Sequence, residues 1–507
     1  MLRGLYLNFG SSIDVDVNRA VQALTARLLE RPLAGVTDVV PSYTNVYLEY
    51  DETRVRRERV RRWAEASSSD AAAARPRRYV EIPVDYHGPD LAEIATRTGM
   101  REQDVIARHA GRAYHVFALG FTPGFPYMGL VEPALRLPRR ATPRARVSAH
   151  AVAMANEQTG VYPSASPGGW HLLGTALVPV YDPHRPEPFL LRPGDEVRFV
   201  SVPPGPAPPE REPLSLLPRA PQRPCLEVVE PGFCDLVVDR GRLLMGRFGL
   251  ARGGPVDAWS AAQANALIGN TARAATVEFT LRGPTLVARS AGVAGFAGWG
   301  MQPLRNGEPL DCFSAVVFAP GDVIGFRPLP FGARGYLALP GGVESDRFAH
   351  SATVDLRAGI GRPLAPDDVL GANAPCDTAR AVPRASAAIV ALGPEPFPLR
   401  IVRGPQATTE ALAVLCERPF VVRAADRMGV RLAGAAVPGG EVLSEATGLG
   451  AIQITPDGDP IVLLHDRGTL GGYAKPAVID PRDLARVGQL LPGQRVGFHL
   501  ARREEPA

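Results

Sequence analysis

Three stretches of this sequence concentrate residue types that can grip a small polar molecule. The first, Gly120-Phe-Thr-Pro-Gly-Phe-Pro-Tyr-Met-Gly129, follows a strand expected over 113–119. Its prolines and glycines make a stiff loop, on which Thr122, Phe125 and Tyr127 offer a hydroxyl, an apolar ring and a phenol. The second, Gln158-Thr-Gly-Val-Tyr162, adds an amide and another phenol. The third, Ser166-Pro-Gly-Gly-Trp170, adds a hydroxyl and, at Gly168 and Gly169, bare backbone that a ligand can approach closely. Arg144, in Thr142-Pro-Arg144, supplies a guanidinium suited to a carboxylate or phosphate. Pro–Gly turns and buried tyrosines are also ordinary fold determinants, so it is the concentration of these stretches that points to a site.

One count sharpens this. Of the 56 basic residues every one is arginine except Lys475. A surviving lysine marks a position where a compact ammonium on a flexible stem is not replaceable by a planar guanidinium.

The absences exclude whole classes. There is no G-x-x-x-x-G-K-[ST] word, so any ATP is bound without a P-loop; neither a G-x-S-x-G elbow nor an H-E-x-x-H helix is present. The five cysteines form no C-x-x-C pair, which argues against a thiolate zinc site and for reduced thiols. A net charge of +4 over 507 residues is too weak for a nucleic-acid footprint. No apolar run reaches membrane-spanning length and the first residues lack a signal-peptide pattern, so a soluble, cytoplasmic protein with neither membrane nor nucleic-acid partner is expected.

The elements that must position these residues are short. With 52 glycines and 51 prolines the chain favours strands joined by turns over long helices. Residues 1–78 read as a small α+β unit: a helix capped by Asn18 and running through Leu29, a strand over 43–50, then a solvated Arg/Glu-rich helix face and a linker over 67–78. The proline-rich segment 203–224 reads as a connector between independently folded halves. Pro193-Gly-Asp-Glu-Val-Arg-Phe199, Pro320-Gly-Asp-Val-Ile-Gly-Phe326 and Pro492-Gly-Gln-Arg-Val-Gly-Phe498 share the pattern P-G-x-x-[VI]-x-F, each a turn feeding an alternating strand. Three β-rich domains closing with the same hairpin would produce it.

The words of the first half resemble the B-type subunit of prokaryotic 5-oxoprolinase, the kinase-inhibitor group also labelled allophanate hydrolase subunit 1. The second half is similar to the C-type subunit, through Val238-Asp-Arg-Gly-Arg242, Gly254-Pro-Val-Asp257, Ala264-Asn-Ala-Leu-Ile-Gly-Asn270, Val277-Glu278, Asp426-Arg-Met-Gly429, Ala451-Ile-Gln453 and Gly471-Gly-Tyr-Ala-Lys475. The chain thus resembles a B–C fusion, with departures at Asn156, Val238, Gly253–Val256 and Gly468–Leu470. The resemblance implies a mainly β fold with α+β: tandem cyclophilin-like β-barrels behind the small N-terminal domain. The implied units are 79–202, the linker 203–224, 225–390 and 391–507.

The same resemblance implies ATP-dependent opening of 5-oxo-L-proline to L-glutamate with a separate A-type subunit, and use of ATP and Mg²⁺. The implied roles are Lys475 as a point cation, Arg144 or Arg427 as holder of substrate carboxylate or phosphates, Asp426 and Glu278 as base or metal ligand, and His115 as proton carrier. Gln453, Gly471, Gly472 and Tyr473 complete the implied binding set. Which metal binds and whether the chain forms a homo-oligomer stay open. Two other readings stand beside it: a carboxyltransferase moving carboxylate from carrier-borne biotin to urea or a related amide, and a binding protein regulating a histidine kinase. Biotin on this chain is not expected, because Lys475 lies in Tyr-Ala-Lys-Pro without flanking methionines. Fusion of inhibitor-like and antagonist-like halves disfavours the kinase reading.

Overall fold

The computed structural model describes residues 1–69, 78–375 and 394–501; residues 70–77 of the expected linker, Cys376 and the boundary set at 390/391 lie outside the described residues. The fold is mainly β. In the N-terminal unit the strands Leu2–Asn8, Asn45–Asp51 and Val36–Pro41 form an antiparallel sheet, in that order, against two helices. Val21, Leu24 and Leu28 of the helix Val15–Glu30 recur at helical spacing and bury against Val46, Leu48 and Val60. The cap of that helix is Asp14, whose carboxylate accepts from the N–H groups of Asp16 and Val17. The expected cap, Asn18, stands one turn further on the buried face, where its amide donates to the carbonyls of Ser42, Tyr43 and Phe117. The Arg/Glu-rich stretch forms the helix Arg57–Ser69, with Arg61 and Glu65 paired at 3.1 Å in the i,i+4 relation.

Two closed seven-stranded barrels follow in tandem. Around the first, the order is His171–Ala176, Tyr79–Asp85, Glu196–Ser201, Ala113–Leu119, Pro126–Gly129, Gln158–Val161, Ala151–Ala155. Around the second it is Ala477–Ile479, Phe397–Arg403, Arg495–Leu500, Phe420–Ala425, Gly429–Ala433, Pro460–Leu463, Ala451–Ile454. Position for position the connectivity is the same, and in each barrel the first strand in sequence runs parallel to the last. A two-stranded ribbon hangs from each: Arg144–Val147 with Ser166–Gly168, and Glu441–Ala446 with Leu470–Tyr473.

The repeated P-G-x-x-[VI]-x-F word does one job three times. Gly194, Gly321 and Gly493 take φ of +92°, +88° and +89°, a region glycine enters without steric penalty. The strand that follows then alternates, burying Val197 and Phe199, Ile324 and Phe326, Val496 and Phe498. In the two barrels this strand closes the ring. Between them, over the unit expected as a third barrel, the described strands instead form a six-stranded and a five-stranded sheet with no ladder joining them. These two sheets share one core, in which Phe279 and Phe326 from opposite sheets lie 4.6 Å apart.

The halves do not pack independently. Val40, Tyr47, Phe125, Tyr162 and Trp170 belong to one apolar cluster with Ala446 and Leu470 of the second ribbon. Tyr181 and Phe189 join Leu216 of the connector and Leu250, Phe348 and Ile360 in another. Among the described residues no helix is long and apolar enough to cross a membrane.

Candidate functional site

On the outer wall of the first barrel, where strand residues alternate with the interior ones, six aromatic rings meet. Phe125 lies 5.1 Å from Tyr127, 5.2 Å from Tyr162 and 5.5 Å from Trp170, edge-on each time. Tyr43 of the N-terminal unit approaches Phe117 at 5.3 Å and Tyr127 at 6.0 Å. Glycine permits the closeness, since a Cβ on Gly168 would strike the Tyr162 hydroxyl. Burial pushes the phenols of Tyr127 and Tyr162 up to about 12, so both are neutral hydrogen-bonding groups at physiological pH. Arg139, exposed at the rim, opposes that rise at both and at Tyr43. It is a cation near the cradle that sequence reasoning passed over, because it sits among several surface arginines. Thr122 and Gln158 lie in the same wall, on the loop before Pro126–Gly129 and on the strand beside it, and the buried hydroxyls of Thr122 and Ser166 have no hydrogen-bond partner. Gly169 packs near Pro143.

The second ribbon leans across this cradle. Leu470 occupies the space a Cβ on Gly120 would need, and the Tyr6 hydroxyl donates to the Ala446 carbonyl at 2.6 Å. Behind the ribbon sits Lys475, whose side chain is fully buried. Its Nζ lies 2.9 Å from Glu445 Oε1 and donates to the Tyr473 carbonyl at 3.3 Å. Glu445 also accepts from Gln406 Nε2 at 2.7 Å and, through its other oxygen, from Asn45 Nδ2 at 3.2 Å. Gln406 in turn accepts the Lys475 backbone N–H at 3.0 Å. Burial pushes the Lys475 ammonium down from its ordinary value while the Glu445 carboxylate pulls it back up. Gln453 packs its amide against Gly471, the residue directly opposite Glu445 in the ribbon; Gly472 and Tyr473 continue the same strand. The ribbon therefore packs Ala446 and Leu470 on the aromatic cluster of Phe125, Tyr127 and Tyr162, while its neighbouring pair, Glu445 and Gly471, meets Lys475 and Gln453.

The remaining implied residues hold other posts. Arg144 grips Asp90 with two bonds of 2.6 and 3.0 Å, and Asp90 also takes the Leu172 N–H, so this guanidinium latches the first ribbon to the barrel. His115 is engaged on both ring nitrogens, by Asn18 Oδ1 at 2.9 Å and Glu196 at 3.3 Å, tying the N-terminal helix to the barrel wall. Asp426 is exposed and accepts from the N–H groups of Met428 and Gly429, capping its own turn. Arg427 is buried against Asp466, Glu278 and the Gly254 carbonyl. Glu278 is fully buried and accepts from the Val256 N–H and Tyr336 hydroxyl; burial opposes its ionisation, and Arg427 and Arg334 outweigh that to hold the carboxyl below its ordinary range. This network fastens the second barrel to the middle unit. Among the described residues no group of three His, Cys, Asp or Glu side chains is placed to hold a metal ion.

Two closed barrels with an interposed pair of sheets, joined by apolar clusters drawn from both halves, accord with a carboxyltransferase-domain protein. Residues 2–191 match the family described as carboxyltransferase domain, subdomain C and D, and residues 248–500 match carboxyltransferase domain, subdomain A and B. The first half is 43% identical over 195 residues to the B-type subunit of 5-oxoprolinase from Escherichia coli O157:H7, covering 37% of this chain and 87% of that protein. The second half is 28% identical over 286 residues to the C-type subunit of 5-oxoprolinase from Haemophilus influenzae, covering 54% of this chain and 89% of that protein. The crystal structure of TTHA0988 matches 98% of this chain and all of that one at 51% identity with a TM-score of 0.93. The chain belongs to this family, with a B-like half and a C-like half joined in one polypeptide.

Proposed function

We propose that this chain is the combined B–C component of an ATP-dependent 5-oxoprolinase, opening 5-oxo-L-proline to L-glutamate together with a separate A-type subunit. The observation that carries the reading is that both halves, each similar to a named 5-oxoprolinase component, build one buried interface, in which the second ribbon packs on the aromatic cluster of the first barrel and Glu445, paired with Lys475, meets Asn45 of the N-terminal sheet.

A lactam is made unreactive by resonance across N–C=O. ATP supplies a phosphoryl group for the lactam oxygen, turning it into a leaving group, with Mg²⁺ entering on the nucleotide. Water then adds to the ring carbon, the C–N bond breaks as the nitrogen takes a proton, and a second water cleaves the resulting acyl phosphate to release glutamate and phosphate. The chain's residues meet the needs of that sequence. The flat ring packs on Phe125 and Tyr127, and the neutral phenols of Tyr127 and Tyr162 donate without adding charge. Lys475 meets charge developing on the oxygen as a point cation held in a low-dielectric position. Arg139 is placed to attract the substrate carboxylate.

The test is oxoproline-dependent ADP release by the purified chain, alone and with an A-type subunit from the same genome. Activity only with both is expected; silence with the partner present overturns the reading. A second reading rests on the carboxyltransferase-domain matches and on urea amidolyase of Lachancea kluyveri, 28% identical over 54% of this chain but 17% of that protein. Urea-dependent decarboxylation of carboxybiotin without oxoproline turnover would favour it.

A further inference from the structure

We propose that Asn45 and Gln453 form an amide-reading pair beside Lys475 that recognises the N–H and C=O edge of a cis lactam, an inference resting on the oxoprolinase reading above. Asn45 comes from the N-terminal sheet and Gln453 from a strand of the second barrel, so the pair exists only where the two halves meet.

Three observations carry it. Asn45 is 4% exposed, and its Nδ2 is committed to Glu445, which fixes the other end of the amide as the oxygen; that Oδ1 is buried with no partner. Gln453 is 8% exposed, and its Nε2 is likewise buried with no partner. An orphaned acceptor and an orphaned donor in one interface are costly unless something supplies the missing bonds. The second observation is that they share a face. Glu445 and Gly471 are direct cross-strand partners and so project to the same side of the ribbon. The Gln453 amide fills the place where a Gly471 Cβ would stand, so it lies on the side where Glu445 meets Asn45 and Lys475.

The third is chemical. A trans amide presents its N–H and C=O on opposite edges, whereas a five-membered ring forces the cis form and puts both on one edge. One acceptor and one donor on the same face of the ribbon complement that edge: Asn45 Oδ1 takes the ring N–H, and Gln453 Nε2 donates to the carbonyl oxygen that Lys475 also approaches. Glu445 and Gln406 touch no substrate. They are positioning residues, since Glu445 orients both Asn45 and Lys475 while Gln406 bridges Glu445 to the Lys475 backbone.

The test uses the full chain with its A-type subunit and two ligands: 5-oxo-L-proline, and the matching five-membered lactone carboxylate, which keeps the carbonyl but replaces the ring N–H by oxygen. The readout is the lactone inhibition constant divided by the lactam KM. In the wild type this ratio should be on the order of a hundred, because a site built to bond an N–H strongly rejects an analogue lacking it. Asn45→Leu should bring it within about threefold of unity, raising the lactam KM more than it lowers kcat. Gln453→Leu should weaken both ligands about tenfold and leave the ratio unchanged. An unchanged ratio in Asn45→Leu overturns the proposal, as does a wild-type ratio near one; if Asn45→Leu does not fold, loss of binding to only one ligand in Gln453→Leu overturns it. Absence of oxoproline turnover by the wild-type pair is a separate failure, that of the function itself.

Discussion

Gly88-Pro-Asp90 follows the strand Tyr79–Asp85 of the first barrel and leads into the helix Leu91–Thr98, and Gly404-Pro-Gln406 follows the matching strand Phe397–Arg403 of the second. In the first, Asp90 accepts the Leu172 N–H at 2.8 Å; in the second, Gln406 accepts the Lys475 N–H at 3.0 Å. Leu172 and Lys475 each lie three residues past a Gly-Gly pair that precedes an aromatic, Trp170 or Tyr473. Each acceptor then reaches to its own ribbon, Asp90 to Arg144 and Gln406 to Glu445. The scaffold is duplicated with its charges inverted. Where the acceptor is a carboxylate, the ribbon guanidinium satisfies it and the chain residue is an apolar leucine. Where it is a neutral amide, it leaves the charge of the ribbon carboxylate unbalanced, and the Oε1 that accepts from Gln406 also holds an ammonium in the interior. The same joint is thus a finished ion pair in one barrel and the seat of a buried cation in the other.

The sharpest way to break this contrast is Lys475→Met, which keeps bulk and removes charge. Oxoproline-dependent ADP release should fall by roughly a thousandfold, and Lys475→Arg should not restore it, in steady-state assays with the A-type subunit. The mirror change, Arg144→Ala, should act on stability: it leaves Asp90, 4% exposed, without its main cation and should cost about 1–3 kcal/mol in chemical denaturation. Burial alone would raise the Asp90 carboxyl, but Arg144, the Leu172 N–H and Arg140 outweigh it and hold it below its ordinary value. A carboxyl lowered on folding stabilises the fold above its unfolded value of about 4, and that contribution disappears as pH falls through the folded value. The Arg144→Ala deficit should accordingly shrink under acid, measured by denaturant midpoints across pH 2 to 6 (about the range of carboxyl titration). A smaller effect is expected from Glu445→Gln. With the carboxylate gone, burial acts on Lys475 unopposed, so the alkaline limb of the kcat profile should move to lower pH. Smallest of all, Asp426→Asn keeps an oxygen for the two N–H groups of its turn and should change activity by less than about twofold.

What could be read from the sequence follows the range of the interaction. The P-G-x-x-[VI]-x-F word is local, because one positive-φ glycine and a two-residue alternation fix it, and it marks both barrel closures. The helix start was legible only in part: Asp14 and Asn18 are both good caps, and the buried stripe with Val21 and Leu28 takes Asn18 inward. Lys475 stood out by composition and lies where the halves meet. Glu445, Gln406 and Asn45 did not stand out, since Asn45 and Glu445 are 400 residues apart and neither lies in a distinctive word. The Gly-Pro-Asp and Gly-Pro-Gln words were visible, but the change of residue type at their third position hides the shared role. Asp426, Arg427 and Glu278 have the right types for chemistry; packing supplies each with partners that no spacing rule reveals.

The bond from Tyr6 to Ala446 joins positions 440 residues apart. The B-type and C-type relatives each match only their own half of this chain. Here the joint is intramolecular, governed by an effective concentration that the tether sets, so dilution does not loosen it. Severing the chain within the exposed stretch 209–213 would turn the same surfaces into a bimolecular complex whose turnover rises with the concentration of each half.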